Sequence, residues 1–240
     1  MKKEVFLSYV CMACVPLMSF ADFKPIMSLS LGSDRTNVYS TKSITLIPPF
    51  QNAYIGTNHY DTEAVIGLFL GAETFFSQNW AWQLGLSYFQ SSVFTENGNV
   101  YQFSDPAFNN LTYQYNIQSR RIYLETKVSP VWRQIWHPYL SLGAGEAFNK
   151  AYAYIETPVS SENLPMAQPF AGHTTQSFTY LGGIGMDIDM GKNVRMGVGY
   201  RFVNLGNASL GMTPLQSSVN TISNSHLYTN EFLLQLTIIG

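Results

Sequence analysis

The chain has 240 residues, of which 12% are charged and 15% are aromatic. Soluble domains typically carry about 25% charged residues. The low charged fraction of this chain is therefore atypical of a surface in water and is compatible with contact with lipid. Its 13 Lys and Arg against 15 Asp and Glu give a net charge of −2. That value excludes the basic footprint of a nucleic-acid-binding protein, and we expect no nucleic-acid partner.

The N-terminal segment has the features of a secretory signal peptide. Lys2 and Lys3 precede an apolar stretch that runs to about Met18, and Ser19-Phe20-Ala21 forms a small-x-small cleavage site. The sequence therefore predicts a signal peptide at residues 1–21 and a single mature domain at residues 22–240. A membrane anchor is the alternative interpretation of the same stretch.

Both cysteines, Cys11 and Cys14, lie in the predicted signal peptide. The mature chain is then expected to have no disulfide, no thiol catalysis and no metal held by cysteine. Lipidation at Cys14 remains an alternative. The four histidines lie in loops or at strand ends without a metal-ligand partner at a short fixed spacing, so we predict no metal and no cofactor.

From residue 22 onward the chain alternates bulky apolar residues with small or polar ones in segments of roughly ten residues. In residues 194–202, for example, Val194, Met196 and Val198 alternate with Arg195 and Gly197. A period of two is typical of a strand whose two faces meet different environments. We predict eight such strands, at about residues 23–32, 61–74, 80–94, 113–129, 138–149, 176–190, 194–206 and 226–239.

Residue size indicates which face points inward. An eight-stranded barrel is only just wide enough for its own side chains, and the less apolar face is rich in small residues such as Gly71, Gly85, Gly143 and Ser87. We therefore expect the small face inside and the apolar face against lipid. A soluble lipocalin-like barrel, the alternative, has large apolar residues inside and a charged exterior.

The predicted connections alternate in length. Those after the second, fourth and sixth strands are short, whereas those after the first, third, fifth and seventh are long and polar, as in residues 33–60 and 158–175. Outer-membrane barrels combine short periplasmic turns with long external loops. The predicted fold is all-β: an eight-stranded antiparallel up-and-down transmembrane β-barrel, monomeric, with both termini in the periplasm and four external loops.

Aromatic residues cluster near the predicted strand ends, and we expect them to form two rings at the membrane interfaces. The predicted periplasmic ring includes Trp80, Trp132 and Tyr139, and the predicted external ring includes Tyr88, Phe89, Tyr113, Tyr115, Phe178 and Tyr228.

Three pieces of the chain carry a family resemblance: residues 79–85 (NWAWQLG), 138–145 (PYLSLGAG) and 197–202 (GVGYRF). They resemble the small outer-membrane β-barrel proteins of Gram-negative bacteria, namely the OmpA-type transmembrane domain and the opacity-type surface proteins. The resemblance implies location in the outer membrane and a structural or adhesive role as a surface antigen. The implied partners are outer-membrane lipid and lipopolysaccharide, the barrel-assembly machinery, and an extracellular or host ligand bound through the loops.

Continuing the alternation through each strand places charges of both signs on the inward face. Since unpaired charges are costly in a narrow interior, we expect them to pair. The predicted groups are Glu73, Lys127, Asp187, Asp189 and Arg195 near the periplasm, and Glu63, Arg121, Glu125, Arg201 and Glu231 above them. The preferred interpretation is a plug that satisfies its own charges; the alternative is an ion path or gate through a narrow pore.

A rim-sited lipid hydrolase or acyltransferase is the enzymatic alternative, because a serine activated by an adjacent base can attack a lipid ester. His226 with Ser223 or Ser225 and Glu231 is one candidate set, and His59 with Asp61 is another. Serine is common in every loop, so we predict no catalytic residue and no enzymatic activity.

Overall fold

The computed structural model describes residues 23–38, 40–47, 49–160, 170–213 and 220–240. The predicted signal peptide at residues 1–21 lies outside them. Among these residues, no helix is long and apolar enough to cross a membrane.

Eight long antiparallel strands form a closed ring in the described part of the chain. Neighbouring strands pair in chain order, and the first strand pairs with the last from Ile26 opposite Ile239 to Asn37 opposite Tyr228. The predicted eight-stranded up-and-down barrel is confirmed. The strands are β1 (Lys24–Val38), β2 (His59–Ser77), β3 (Trp80–Tyr101), β4 (Asn109–Pro130), β5 (Trp136–Pro158), β6 (His173–Asp189), β7 (Val194–Ser209) and β8 (Ser223–Ile239).

A belt of exposed apolar side chains surrounds the half of the barrel that carries the short turns. Leu140 and Leu234, 65% and 66% exposed, are typical of it. Their neighbours along each strand point inward and are small or polar, as Ser141 is beside Leu140. Because such a surface is stable only against hydrocarbon, the belt places this half of the barrel in a membrane.

All eight strands are longer than predicted at the end away from the short turns. β3, β4 and β5 have 22, 22 and 23 residues, whereas a tilted strand crosses a bilayer with about 9–11. The third connection, predicted to be a long loop, is only the short segment 102–108, because β3 and β4 pair up to Tyr101 opposite Asn109. We call the part of the barrel beyond the belt the extension.

The extension reverses the polarity of the belt. Many of its inward side chains are apolar and buried, as are Phe94, Val100, Ile117 and Leu205, and its outward side chains are mostly polar. A hairpin of Thr41–Ile47 and Phe50–Gly56 adds to it, since the second arm pairs with β3. The extension is therefore a water-exposed β-structure with its own apolar core.

Several aromatic residues predicted to lie in the interfacial rings point into the barrel instead. Tyr139, Phe89, Tyr113 and Tyr115 are each at most 5% exposed, so their assignment to the rings was wrong. Glycine on neighbouring strands makes room for some of them: a Cβ at Gly67 would lie 1.9 Å from the Phe89 ring. Trp80, Trp132, Tyr88, Phe178 and Tyr228 are exposed on the outside, as the rings require.

Candidate functional site

The inward charges nearest the short turns form a chain of ion pairs centred on Arg195. Its Nη1 lies 2.7 Å from Glu73 Oε2, and its Nε lies 2.8 Å from Asp189 Oδ1. The other Asp189 oxygen lies 2.8 Å from Nε2 of His137. Four strands, β2, β5, β6 and β7, thereby contribute to one cluster that crosses the lumen.

A second pair lies beside this cluster. Lys127 Nζ is 2.8 Å from Asp187 Oδ2 and 3.8 Å from the centre of the Tyr139 ring. The same ammonium group donates to Gln235 at 3.3 Å. An ammonium group that is taken out of water is stabilised by these three contacts together.

Higher in the barrel, Glu231 lies between two arginines. Its Oε1 is 2.7 Å from Arg121 Nη1 and its Oε2 is 2.8 Å from Arg201 Nη2. Arg201 also reaches Glu125 at 3.6 Å and stacks on Phe89, 3.9 Å from the ring centre. We call these four residues, Glu231, Arg121, Arg201 and Glu125, the node. Glu231 and Arg121 are fully buried, so the charges of the node are stabilised by their internal partners.

The structure therefore brings nine of the ten predicted charges into ion pairs. Glu63 shares the inward face of its neighbours but is partly exposed, and it makes no ion pair with a described residue. Two further residues of these charge clusters, His137 and Asp34, were not predicted from the sequence. His137 was assigned to a strand end, and Asp34 lay beyond the predicted end of the first strand.

Asp34 joins the node through a serine. Ser91 Oγ donates to Asp34 Oδ2 at 2.5 Å and accepts from Arg121 Nη2 at 3.0 Å. Asp34 is fully buried. The only sequence signal for it was the unbroken alternation Ser30, Gly32, Asp34, which continues past residue 32.

The extension contains two further buried carboxylates, which the sequence did not predict because they lie beyond the predicted strand ends. Glu96 accepts from Ser40 Oγ at 2.5 Å, from the Tyr115 hydroxyl and, at 3.4 Å, from the Tyr113 hydroxyl. Burial raises the pKa of the Glu96 carboxyl above its ordinary value, although these hydrogen bonds lower it.

Glu156 repeats this chemistry against the hairpin. It accepts from the Tyr154 hydroxyl at 2.5 Å and from the Tyr54 hydroxyl at 3.4 Å. Burial raises the pKa of the Glu156 carboxyl as well. Within the described ranges neither Glu96 nor Glu156 has a Lys or Arg partner. Neutral donors therefore join Glu156 to the hairpin, through Tyr54, and Glu96 to Ser40, the residue before the hairpin.

In the described part of the chain, the candidate pair of His59 and Asp61 does not form. The two ring nitrogens of His59 lie 2.9 and 3.0 Å from the carbonyl oxygens of Thr57 and Thr95, while Asp61 accepts from the Thr95 amide. Glu231 belongs to the buried node rather than to the rim. The side chain of His226 is outside the described part of the structure. Among the described residues, no group of three His, Cys, Asp or Glu side chains could hold a metal ion.

Comparisons with known proteins identify similar folds only. No protein-family model matches the chain, and no curated protein does. Many solved structures are similar over nearly the whole chain, and three examples follow. Neisserial surface protein A is 8% identical, with 90% of this chain and 96% of that chain covered and a TM-score of 0.44.

The outer-membrane protease OmpT from Escherichia coli is 10% identical, with 91% and 98% covered and a TM-score of 0.45. The outer-membrane protein OprG from Pseudomonas aeruginosa is 12% identical, with 91% and 97% covered and a TM-score of 0.44. The eight-stranded barrel of this chain is established by its own strand pairing, and we draw no conclusion about activity from these likenesses.

Proposed function

We propose that this protein is a surface β-barrel of the Gram-negative outer membrane whose lumen is closed and whose extension binds an extracellular partner. In this proposal it is exported by the signal peptide at residues 1–21, inserted by the barrel-assembly machinery, and has no catalytic activity.

The observation that carries the proposal is the extension itself. A barrel that only had to span the membrane would end near the belt, yet β3 continues for thirteen residues beyond the interfacial Tyr88. The extension has its own core and an added hairpin, which buried Glu156 contacts through Tyr54. A rigid structure of this kind presents its surface with little loss of entropy on binding, which favours recognition.

A closed lumen is supported by the two charge clusters. Arg195 and its partners cross the lower half, and Glu231 with Arg121 and Arg201 crosses the upper half. Separating such pairs without new partners costs about 3–5 kcal/mol each. Above them, a cluster of buried apolar side chains of the extension, including Phe94, Val100 and Leu205, disfavours a path for hydrated ions.

Lipopolysaccharide is the expected partner of the outer rim of the belt. Arg120 and Lys150 lie on neighbouring strands with exposed side chains, just beyond the apolar Ile122. Arg35, also exposed, stacks on Tyr60 at 4.5 Å elsewhere on the rim. Cations at this depth favour the phosphate groups of an anionic outer leaflet.

The test compares the full protein with a variant that lacks the outer half of one hairpin. Thr95 pairs with Asn116, so residues 96–115 can be replaced by an Asn-Gly turn that closes β3 and β4 near the membrane. Gram-negative cells that display the full protein should attach to cultured epithelial cells, and cells that display the variant should not. The variant should keep the heat-dependent gel mobility of a folded barrel.

Undiminished attachment by the shortened variant would contradict the proposed role. Ion conductance of the full protein in planar bilayers, or turnover of the bilayer lipid, would instead support the pore or the lipid-modifying enzyme.

A further inference from the structure

Three phenylalanines form an exposed cluster at the end of the extension, which we call the aromatic tip. Phe50 belongs to the hairpin, and Phe103 and Phe108 belong to the connection between β3 and β4. The ring centres of Phe50 and Phe103 are 5.6 Å apart and those of Phe103 and Phe108 are 5.7 Å apart, both edge to face. Their side chains remain 56%, 56% and 44% exposed.

Local contacts hold the aromatic tip in this conformation. The Phe103 amide donates to Asn52 Oδ1 of the hairpin at 3.3 Å, and Asp105 Oδ1 accepts from the Ala107 amide at 2.9 Å. Phe103 and Ser104 have φ angles of 56° and 57°. Non-glycine residues in this region are strained, and such strain is common where a ligand is bound. The tip is therefore built to expose its rings rather than to hide them.

The two segments that carry the aromatic tip are almost uncharged. Residues 49–54 and 101–110 include one charged residue, Asp105, whose carboxylate already caps a backbone amide. Phenylalanine rings offer no hydrogen-bonding group, so the tip has little to recognise in a charged or strongly polar partner. Its chemistry matches the acyl region of a lipid bilayer with neutral headgroups.

The position of the aromatic tip excludes the membrane that holds the barrel. Tyr101 lies thirteen positions beyond the interfacial Tyr88 along β3, which for a tilted strand corresponds to about 30 Å. The tip is also convex, since its rings extend from two turns. A soft bilayer can receive such a projection, whereas a protein partner would need a matching groove.

We propose that the aromatic tip inserts into a second lipid bilayer with neutral, zwitterionic headgroups, opposite the membrane that contains the barrel. This inference rests on the proposed binding role of the extension and identifies its partner. Phe50, Phe103 and Phe108 enter the acyl region, and the rigid extension carries the contact across the gap between the two membranes.

The test uses the complete mature barrel in nanodiscs and phosphatidylcholine vesicles as the second bilayer. Flotation measures binding, and the Phe50→Ser/Phe103→Ser/Phe108→Ser variant should bind at least a hundredfold more weakly, since each half-buried ring contributes about tenfold. The matched control is Ile155→Ser/Met212→Ser, which removes exposed apolar side chains elsewhere on the extension. This control should bind like the unaltered protein.

Insertion is measured separately with Phe103→Trp and vesicles whose acyl chains are brominated. The fluorescence of Trp introduced at residue 103 should be quenched when the vesicle lipid is brominated. The nanodisc lipid carries no bromine and the native tryptophans lie at the far end of the barrel, so quenching reports insertion of the tip into the vesicle. Absence of quenching, or equal flotation of the triple-serine variant, would overturn the proposal.

The two proposals fail in distinguishable ways. If vesicles do not bind but display of the full protein still attaches cells, and protease treatment of the epithelial cells abolishes that attachment, the tip binds a protein and the lipid proposal is wrong. If the shortened variant attaches as well as the full protein, the role of the extension is wrong whatever the tip does.

Discussion

Replacing Glu231 by glutamine should destabilise the barrel more than any other conservative change in the lumen. Glu231→Gln keeps the shape of the side chain but removes the charge between Arg121 and Arg201, whose nearest nitrogens lie 2.7 and 2.8 Å from it. Among the described residues, the two arginines then keep one ion pair with a carboxylate, between Arg201 and Glu125 at 3.6 Å. Since removing one partner of a buried pair costs about 3–5 kcal/mol, we expect a loss of that size in the free energy of unfolding.

The assay is urea unfolding of the barrel in phospholipid bilayers, followed by tryptophan fluorescence. Glu146→Gln is the matched control, because Glu146 is exposed on the outer face of β5 and should change the free energy by less than about 1 kcal/mol. If the two variants unfold at the same urea concentration with the same slope, the node does not stabilise the barrel and our assignment of its energetics fails.

Three further outcomes follow from the geometry. Gly67→Ala should destabilise the barrel by about 1–3 kcal/mol in the same assay, because its Cβ would lie 1.9 Å from the Phe89 ring, whereas Gly191→Ala, with nothing within 4 Å, should be neutral. On intact cells a membrane-impermeant maleimide should label Ser160→Cys and spare Gly191→Cys; the reverse pattern would invert the orientation. For Glu96 the pKa is raised in the folded state, so its stabilising effect is complete below the ordinary value of about 4.5 and declines as the pH rises through the raised pKa. In the unaltered protein, amide exchange in the outer half of β3 should therefore accelerate with pH more steeply than intrinsic base catalysis requires. In the Glu96→Gln variant, exchange should accelerate only as intrinsic base catalysis requires.

The sequence predicted the membrane half of the barrel well because a single rule applies there. Lipid outside and a narrow lumen inside require large apolar residues to alternate with small or polar ones, and that pattern identified eight strands and their inward charges. The rule cannot recognise the extension. Because water surrounds the extension, apolar residues such as Phe94 and Ile117 point inward there, whereas the apolar residues of the belt point outward.

The missed residues follow from two physical causes. An irregular register between Gln90 and Val93 ends the simple alternation of β3, which hid the strand that carries Glu96. Tyr139 was expected on the outside because it lies near a predicted strand end, but Gly185 and Gly199 on other strands leave space for its ring inside the barrel. Pairing of this kind depends on strand register, which local sequence does not specify.

A single scan along β3 tests the division into belt and extension most directly. Spin labels placed one at a time at Leu84, Leu86, Asn97 and Asn99, in barrels reconstituted into bilayers, report their exposure to oxygen, which dissolves in lipid, and to a water-soluble nickel complex. All four residues lie on the outer face of one strand. We expect oxygen to dominate the relaxation at the two leucines and nickel to dominate it at the two asparagines. Oxygen-dominated relaxation at Asn97 and Asn99, or nickel access at Leu84 and Leu86, would contradict this division.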